Sequence, residues 1–129
     1  MNSPARCASV EVQPPSGPLP YDRSRLLSQL GGSLEILAEV AELFCLDAER
    51  KHAELRGYVL REDQHATGVA HQLKGVLLNV AADDAAATAR ELETLIRAGQ
   101  WRAALAATDR LGAQLRELVE AFGQEPKRG

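Results

Sequence analysis

A histidine flanked by glycines stands near the middle of the chain, in the segment Ala70-His71-Gln72-Leu73-Lys74-Gly75. Gly68 lies three residues before His71 and Gly75 four residues after it, and at these spacings both are neighbours of the histidine on a helix surface. Because a glycine inside a helix costs about 1 kcal/mol relative to alanine, two of them beside one histidine indicate that the imidazole is approached from outside. Lys74 adds a fixed positive charge on the same side. Such a face suits a histidine that carries a phosphoryl group.

The helical position of His71 agrees with that chemistry. At about 100° per residue, Leu73, Leu77 and Val80 lie roughly 160–220° away from His71, so the imidazole points away from the predicted core. Spacing alone leaves two interpretations open, a functional histidine and an incidental solvent-exposed one. Leu78 shares the outer face, and it is either an isolated exposed leucine or part of a docking patch.

Composition excludes several classes of function. The 129 residues carry a net charge of -3, which argues against a nucleic-acid binder. We find no apolar run long enough for a membrane span and no secretory signal. Cys7 and Cys45 do not form a disulfide framework, so we expect a cytoplasmic protein. No His or Cys spacing indicates a metal site, and no glycine-rich loop indicates ATP binding, so we expect no metal and no cofactor on the chain.

Proline divides the sequence into an arm, a helical region and a tail. Five of the six prolines lie in residues 1–20, which we predict to be a flexible arm. Residues 21–123 show helical patterns, and residues 124–129 are predicted to be a tail. The arm favours a stand-alone protein over a piece of a larger kinase.

The helical region predicts an all-α fold. We expect a short first helix capped by Asp22 and a second helix capped by Ser33 that ends near Arg56. Three more follow, over about 62–81, 83–99 and 101–122. Four long amphipathic helices with short connections favour an antiparallel up-down four-helix bundle, with the short N-terminal helix over one end.

The motif His71-Gln72-Leu73-Lys74-Gly75, followed by Asn79, resembles the signature of histidine-containing phosphotransfer (HPt) domains. The resemblance covers about residues 22–122 and departs from the family pattern in a few places. Matching positions elsewhere are Leu43, Phe44, Asp47, Leu92, Glu93, Arg97 and Gly99. Val76 and Leu77 stand where the family often has serine or alanine, and Ala81 where it often has glycine.

The resemblance implies that His71 accepts a phosphoryl group from an aspartyl phosphate of a response-regulator receiver domain and passes it to a second receiver. The family implies that Mg²⁺ is supplied by the receiver and that a hybrid sensor histidine kinase is a partner. Lys74 offsets phosphoryl charge, and Gly68 and Gly75 allow close approach. Glu93 either accepts a hydrogen bond from the imidazole or is simply solvated, and Arg97 is a weaker candidate for binding phosphoryl charge.

Rival interpretations remain at this point. A binding module of the same fold could dock a receiver or kinase without phosphotransfer, and a structural adaptor would carry His71 incidentally. An enzyme that acts on a small molecule through phosphohistidine is disfavoured because no arginine cluster lies near His71. The leading interpretation is a monomeric, cytoplasmic, bacterial phosphoryl carrier without ATP-dependent kinase activity.

Overall fold

The computed structural model describes residues 19–125, and within that range it is all-helical, with five helices and no strand. The helices are α1 (Arg23–Gln29), α2 (Leu34–Leu60), α3 (Ala66–Asn79), α4 (Asp83–Arg97) and α5 (Trp101–Gly123). The all-α class predicted from the sequence is confirmed. Residues 1–18 of the predicted arm and residues 126–129 of the predicted tail lie outside the described residues.

Two predicted N-caps are confirmed. The Asp22 carboxylate accepts a hydrogen bond from the backbone N–H of Arg25 at 3.0 Å, and the Ser33 hydroxyl accepts one from Ile36 at 3.1 Å. Each cap satisfies a backbone donor that the first helical turn leaves without a partner. Between them, Gly31 has a φ of 70°, a left-handed conformation that glycine adopts readily and that ends α1.

The predicted end of α2 near Arg56 is wrong, because the helix continues through Gly57 to Leu60. Val59 is 2% exposed, so its burial offsets the low helix propensity of Gly57. The predicted start of α3 near residue 62 is also wrong. Glu62 has a φ of 54°, and the helix begins only at Ala66.

Ala81 lies in the turn that follows α3, at the position where the resemblance leads us to expect glycine. The predicted helix limit near Ala81 is two residues too long, because α3 ends at Asn79. Ala81 has a φ of 60°, a left-handed conformation that costs a non-glycine residue about 1–2 kcal/mol. Asp83 is the first residue of α4, where its negative charge is favourable at the helix N-terminus.

The four long helices each pack on two neighbours, in the order α2–α3–α4–α5 and back to α2. Apolar side chains from all four meet in one core, as the amphipathic patterns predict. Its most completely buried members are Leu37, Leu55, Val59, Leu73, Leu77, Leu92, Ile96, Leu111 and Leu118. Leu34, the first residue of α2, is by contrast 55% exposed.

The chain segment before α1 is tied to the end of α5. Glu125 is buried and accepts hydrogen bonds from the Tyr21 hydroxyl and, at 2.9 Å, from Arg23 Nε. The Asp22 N–H donates to the Ala81 carbonyl at 2.9 Å, which joins the same segment to the turn between α3 and α4. Glu125 therefore connects the C-terminal end of α5 to the start of α1.

Helices α2 and α5 approach closely where His52 meets Gly112. A Cβ atom at Gly112 would lie 2.7 Å from His52 Nε2, and the same nitrogen lies 2.8 Å from the Thr108 carbonyl oxygen. The absent side chain lets the imidazole bridge the two helices. In residues 19–125, no helix combines the length and the apolar character needed to cross a membrane.

Candidate functional site

His71 lies on the outer face of α3, as the helical periodicity predicts. Its side chain is 65% exposed, whereas Leu73 and Leu77 of the same helix are buried. The two opposite faces of α3 therefore lie in different environments. One face fills the core, and the other presents an imidazole to solvent.

Glu93 of α4 contacts the imidazole of His71 from the buried side. Its side chain is only 5% exposed, and its Oε2 atom lies 3.1 Å from His71 Nδ1. The sequence left two interpretations of Glu93 open, a hydrogen bond to the imidazole and a solvated side chain. The structure contains the hydrogen bond. With Nδ1–H donating to the carboxylate, the Nε2 atom carries the free lone pair. No described residue is hydrogen-bonded to Nε2, so this nitrogen is left without a partner on a side chain that is 65% exposed.

Two cations share the same carboxylate. Lys74 Nζ lies 3.1 Å from Glu93 Oε1, and Arg97 Nη2 lies 2.9 Å from Glu93 Oε2. Burial by itself would raise the pKa of the Glu93 carboxyl, but hydrogen bonds from Lys74 and His71 and the charges of Lys74 and Arg97 lower it below its ordinary value. Glu93 is therefore ionised at neutral pH beside an imidazole and two positive charges.

Gly68 and Gly75 leave the surface beside His71 bare. A Cβ atom built on either glycine would meet no atom within 4 Å. Packing inside the described part of the chain therefore does not require glycine at these positions. The surface at both glycines is therefore open.

An apolar groove, which the sequence alone does not reveal, lies between α2 and α3 on one side of the site. It has a volume of about 270 Å³, and its lining includes Val40, Leu43, Leu73, Val76 and Val80. Leu43 is 66% exposed and Val76 is 37% exposed. The side chain of Val76 therefore lines this groove at the surface of α3.

Two further side chains on the surface of α3 have defined positions. Gln72 accepts a hydrogen bond from Lys51 of α2, with 2.9 Å between Nζ and Oε1. Lys51 was missed because its partner lies 21 residues away, and only the register of α2 on α3 brings the two together. Leu78 is 43% exposed, as its predicted outer position requires.

The described residues contain no group of three or more His, Cys, Asp or Glu side chains placed to hold a metal ion. His65 contacts Asp63 instead, with 2.7 Å between Nδ1 and Oδ1. His52 contacts the Thr108 carbonyl of α5 and His65 contacts Asp63, so each of these histidines has a partner other than Glu93.

The described part of the chain is thus an all-helical domain in which a buried carboxylate contacts an exposed histidine. The family model for the Hpt domain matches residues 39–125, about two thirds of the chain. The chain belongs to the Hpt domain family. Hpt domains perform histidine phosphotransfer in two-component signalling, where they interact with receiver domains. No curated protein and no solved structure matches the chain in the corresponding comparisons.

The buried carboxylate makes a pH-dependent prediction for stability. Because the folded-state pKa of Glu93 is lowered, its contribution is fully present above the ordinary value of 4.5 and is lost as the pH falls through the folded pKa. We expect Glu93→Gln to lower the free energy of unfolding by about 1–3 kcal/mol at pH 7, because two cations lose their counter-charge. Urea unfolding of both proteins from pH 7 to pH 3 should show the difference shrinking toward acid.

Glu91→Gln is the matched control. Glu91 is an exposed residue of the same helix that pairs with Arg110, so its replacement should change the free energy of unfolding by less than about 1 kcal/mol. A Glu93→Gln difference that stays constant over this pH range, or that equals the Glu91→Gln difference, would contradict the assigned electrostatics.

Proposed function

We propose that this Hpt domain is a phosphorelay intermediate, in which His71 accepts a phosphoryl group from the aspartyl phosphate of one receiver domain and passes it to another. The observation that carries the proposal is the contact of His71 Nδ1 with the buried Glu93 carboxylate, which leaves Nε2 outward on a bare helix face. A carrier of this kind has no ATP-dependent kinase activity of its own.

The proposed transfer follows from the orientation of the imidazole. The Nε2 lone pair attacks phosphorus, the bond from phosphorus to the aspartyl oxygen breaks, and its electron pair leaves with the receiver carboxylate. The Nδ1 proton stays on the ring, directed at Glu93. Because the ring gains positive charge as the new bond forms, the Glu93 carboxylate stabilises the phosphorylated imidazole. Transfer to a second receiver is the same step in reverse.

Partner domains supply the remaining chemistry in this proposal. Mg²⁺ belongs to the receiver, and the chain itself contributes no cofactor. Catalysis of phosphoryl transfer is mostly positioning and charge stabilisation, so a carrier can rely on the groups of its partner. The partners are response-regulator receivers and a hybrid sensor histidine kinase, and the carrier acts as a cytoplasmic, bacterial monomer.

The proposal includes the arrangement of the four long helices as an antiparallel up-down bundle, with α1 over one end. The neighbour order of the helices supports it, because each long helix packs on the one before it in the chain. The connections are also short, at residues 61–65, 80–82 and 98–100, and short connections favour antiparallel neighbours.

Lys74 is proposed to stabilise the phosphoryl group, because its ammonium binds the same Glu93 carboxylate as His71 and its side chain remains 22% exposed. We expect Lys74→Ala to slow transfer by about 10–100-fold, since a hydrogen bond to a charged group contributes about 1.5–3 kcal/mol. Rapid-quench measurement of phosphoryl transfer from a receiver gives the rate. Lys74→Arg keeps the positive charge and should recover most of the wild-type transfer rate. An unchanged rate in Lys74→Ala would remove this role.

One assay tests the proposed function. The purified chain is incubated with a panel of phosphorylated receiver domains, and the label on the chain is tested for the acid-labile, base-stable behaviour of phosphohistidine. The proposal expects such a label from at least one receiver and its loss when a second receiver is added. A chain that binds receivers without acquiring label would instead be a docking module of the same fold.

A further inference from the structure

Lys51 is a half-buried cation whose charge is not neutralised by the described residues. It lies on α2 and forms part of the lining of the apolar groove. Its ammonium donates to the neutral amide oxygen of Gln72 at 2.9 Å, and no described carboxylate lies within ion-pair distance of it. Gln72 is the residue directly after His71, so this contact ties Lys51 to the phosphoryl-acceptor motif.

Neighbouring charges are already compensated. Lys74 and Arg97 share the Glu93 carboxylate, and Asp47, the acidic side chain of the groove lining, pairs with Arg50. Lys51 is different, because its side chain is partly buried against the groove while its charge has no carboxylate partner among the described residues. An ammonium beside apolar side chains is stabilised when an anion pairs with it. The charge of Lys51 is therefore available to pair with a carboxylate of a docking partner.

The groove also indicates which apolar side chains a docking partner must present. Leu43 and Val76 are exposed apolar side chains of its lining, next to Lys51. A partner that fits both features presents apolar side chains with an Asp or Glu at their edge. Burial of the apolar area contributes affinity, and the charged pair selects among partners that share the apolar feature.

We propose that Lys51 is a specificity-determining residue, which selects receiver domains that place an acidic side chain at the edge of their apolar docking surface. This inference rests on the proposed function. Gln72 acts as a positioning residue, because it holds the ammonium toward α3. Lys51 contacts neither His71 nor Glu93 among the described residues, so it acts on docking and leaves the chemical step unchanged.

The experiment measures transfer from the receivers of the panel that label the wild-type chain. We expect Lys51→Glu to raise KM for receivers with an acidic docking edge by about tenfold or more, with kcat unchanged, because like charges then face each other. The rate with Lys51→Met should depend less steeply on salt than the rate with wild type. Arg116→Glu is the control, since Arg116 is an exposed residue of α5 outside the groove.

Rescue by charge exchange gives the sharpest outcome. A receiver whose edge carboxylate is replaced by lysine should regain efficient transfer with Lys51→Glu and lose it with wild type. Equal KM values for Lys51→Glu and Arg116→Glu, or a fall in kcat at constant KM, would overturn the inference while His71 labelling still stood. If no receiver labels the wild-type chain, the proposed function itself fails.

Discussion

The His71→Gln variant should take up no phosphohistidine label from any receiver that labels the wild-type chain, a loss of at least about 100-fold. Glutamine has no nucleophilic ring nitrogen, so the acceptor atom itself is removed. Its amide N–H can still donate to Glu93. Because the His71 side chain is 65% exposed, we expect the free energy of unfolding to stay within about 0.5 kcal/mol of wild type. Alkali-stable label and urea unfolding, measured on the same preparation, check both parts.

His65→Gln is the matched control for this prediction. His65 precedes α3 in the chain and its side chain is 80% exposed, but it contacts Asp63 and not Glu93. Its replacement should leave labelling intact. Base-stable label that persists in His71→Gln, or disappears in His65→Gln, would show that the acceptor has been assigned to the wrong histidine.

The sequence predicts the parts of the fold that local interactions determine. Asp22 and Ser33 act as caps because their side chains reach backbone donors three residues away, a contact within one turn. The end of α2 is different, because Gly57 indicates a break while the burial of Val59 extends the helix. That burial depends on packing against other helices, which a single-segment pattern does not contain.

The same division applies to the candidate site. Periodicity along α3 is enough to place His71 outward and to put both glycines beside it. The link to Glu93 crosses 22 residues of sequence, and only the HPt resemblance, not spacing, suggested it. The sequence indicated Arg97 as a weaker candidate for binding phosphoryl charge. In the structure its guanidinium forms an ion pair with Glu93 Oε2. The groove with Lys51 requires the register of α2 on α3, which periodicity within one helix cannot supply.

Gly75 should be the most sensitive position of the docking surface after His71. Side chains on a helix lean toward its N-terminus, so a side chain at position 75 would cover the preceding turn, which carries His71. We expect Gly75→Leu to slow transfer by about 100-fold, because a misplacement of about 1 Å between reacting groups can cost this much. The protein should remain folded, since a Cβ atom at this position meets nothing within 4 Å. Rapid-quench transfer kinetics give the rate.

Gly68→Leu separates shielding of the imidazole from general crowding of the surface. A side chain at position 68 leans toward residue 64 and away from His71, so its effect on transfer should be clearly smaller. Gly75→Ala should raise the free energy of unfolding by up to about 1 kcal/mol, because alanine is the better helix former and has open space here. If Gly75→Leu transfers at the wild-type rate, the receiver does not approach His71 over this turn. Glycine at position 75 would then serve neither packing nor docking.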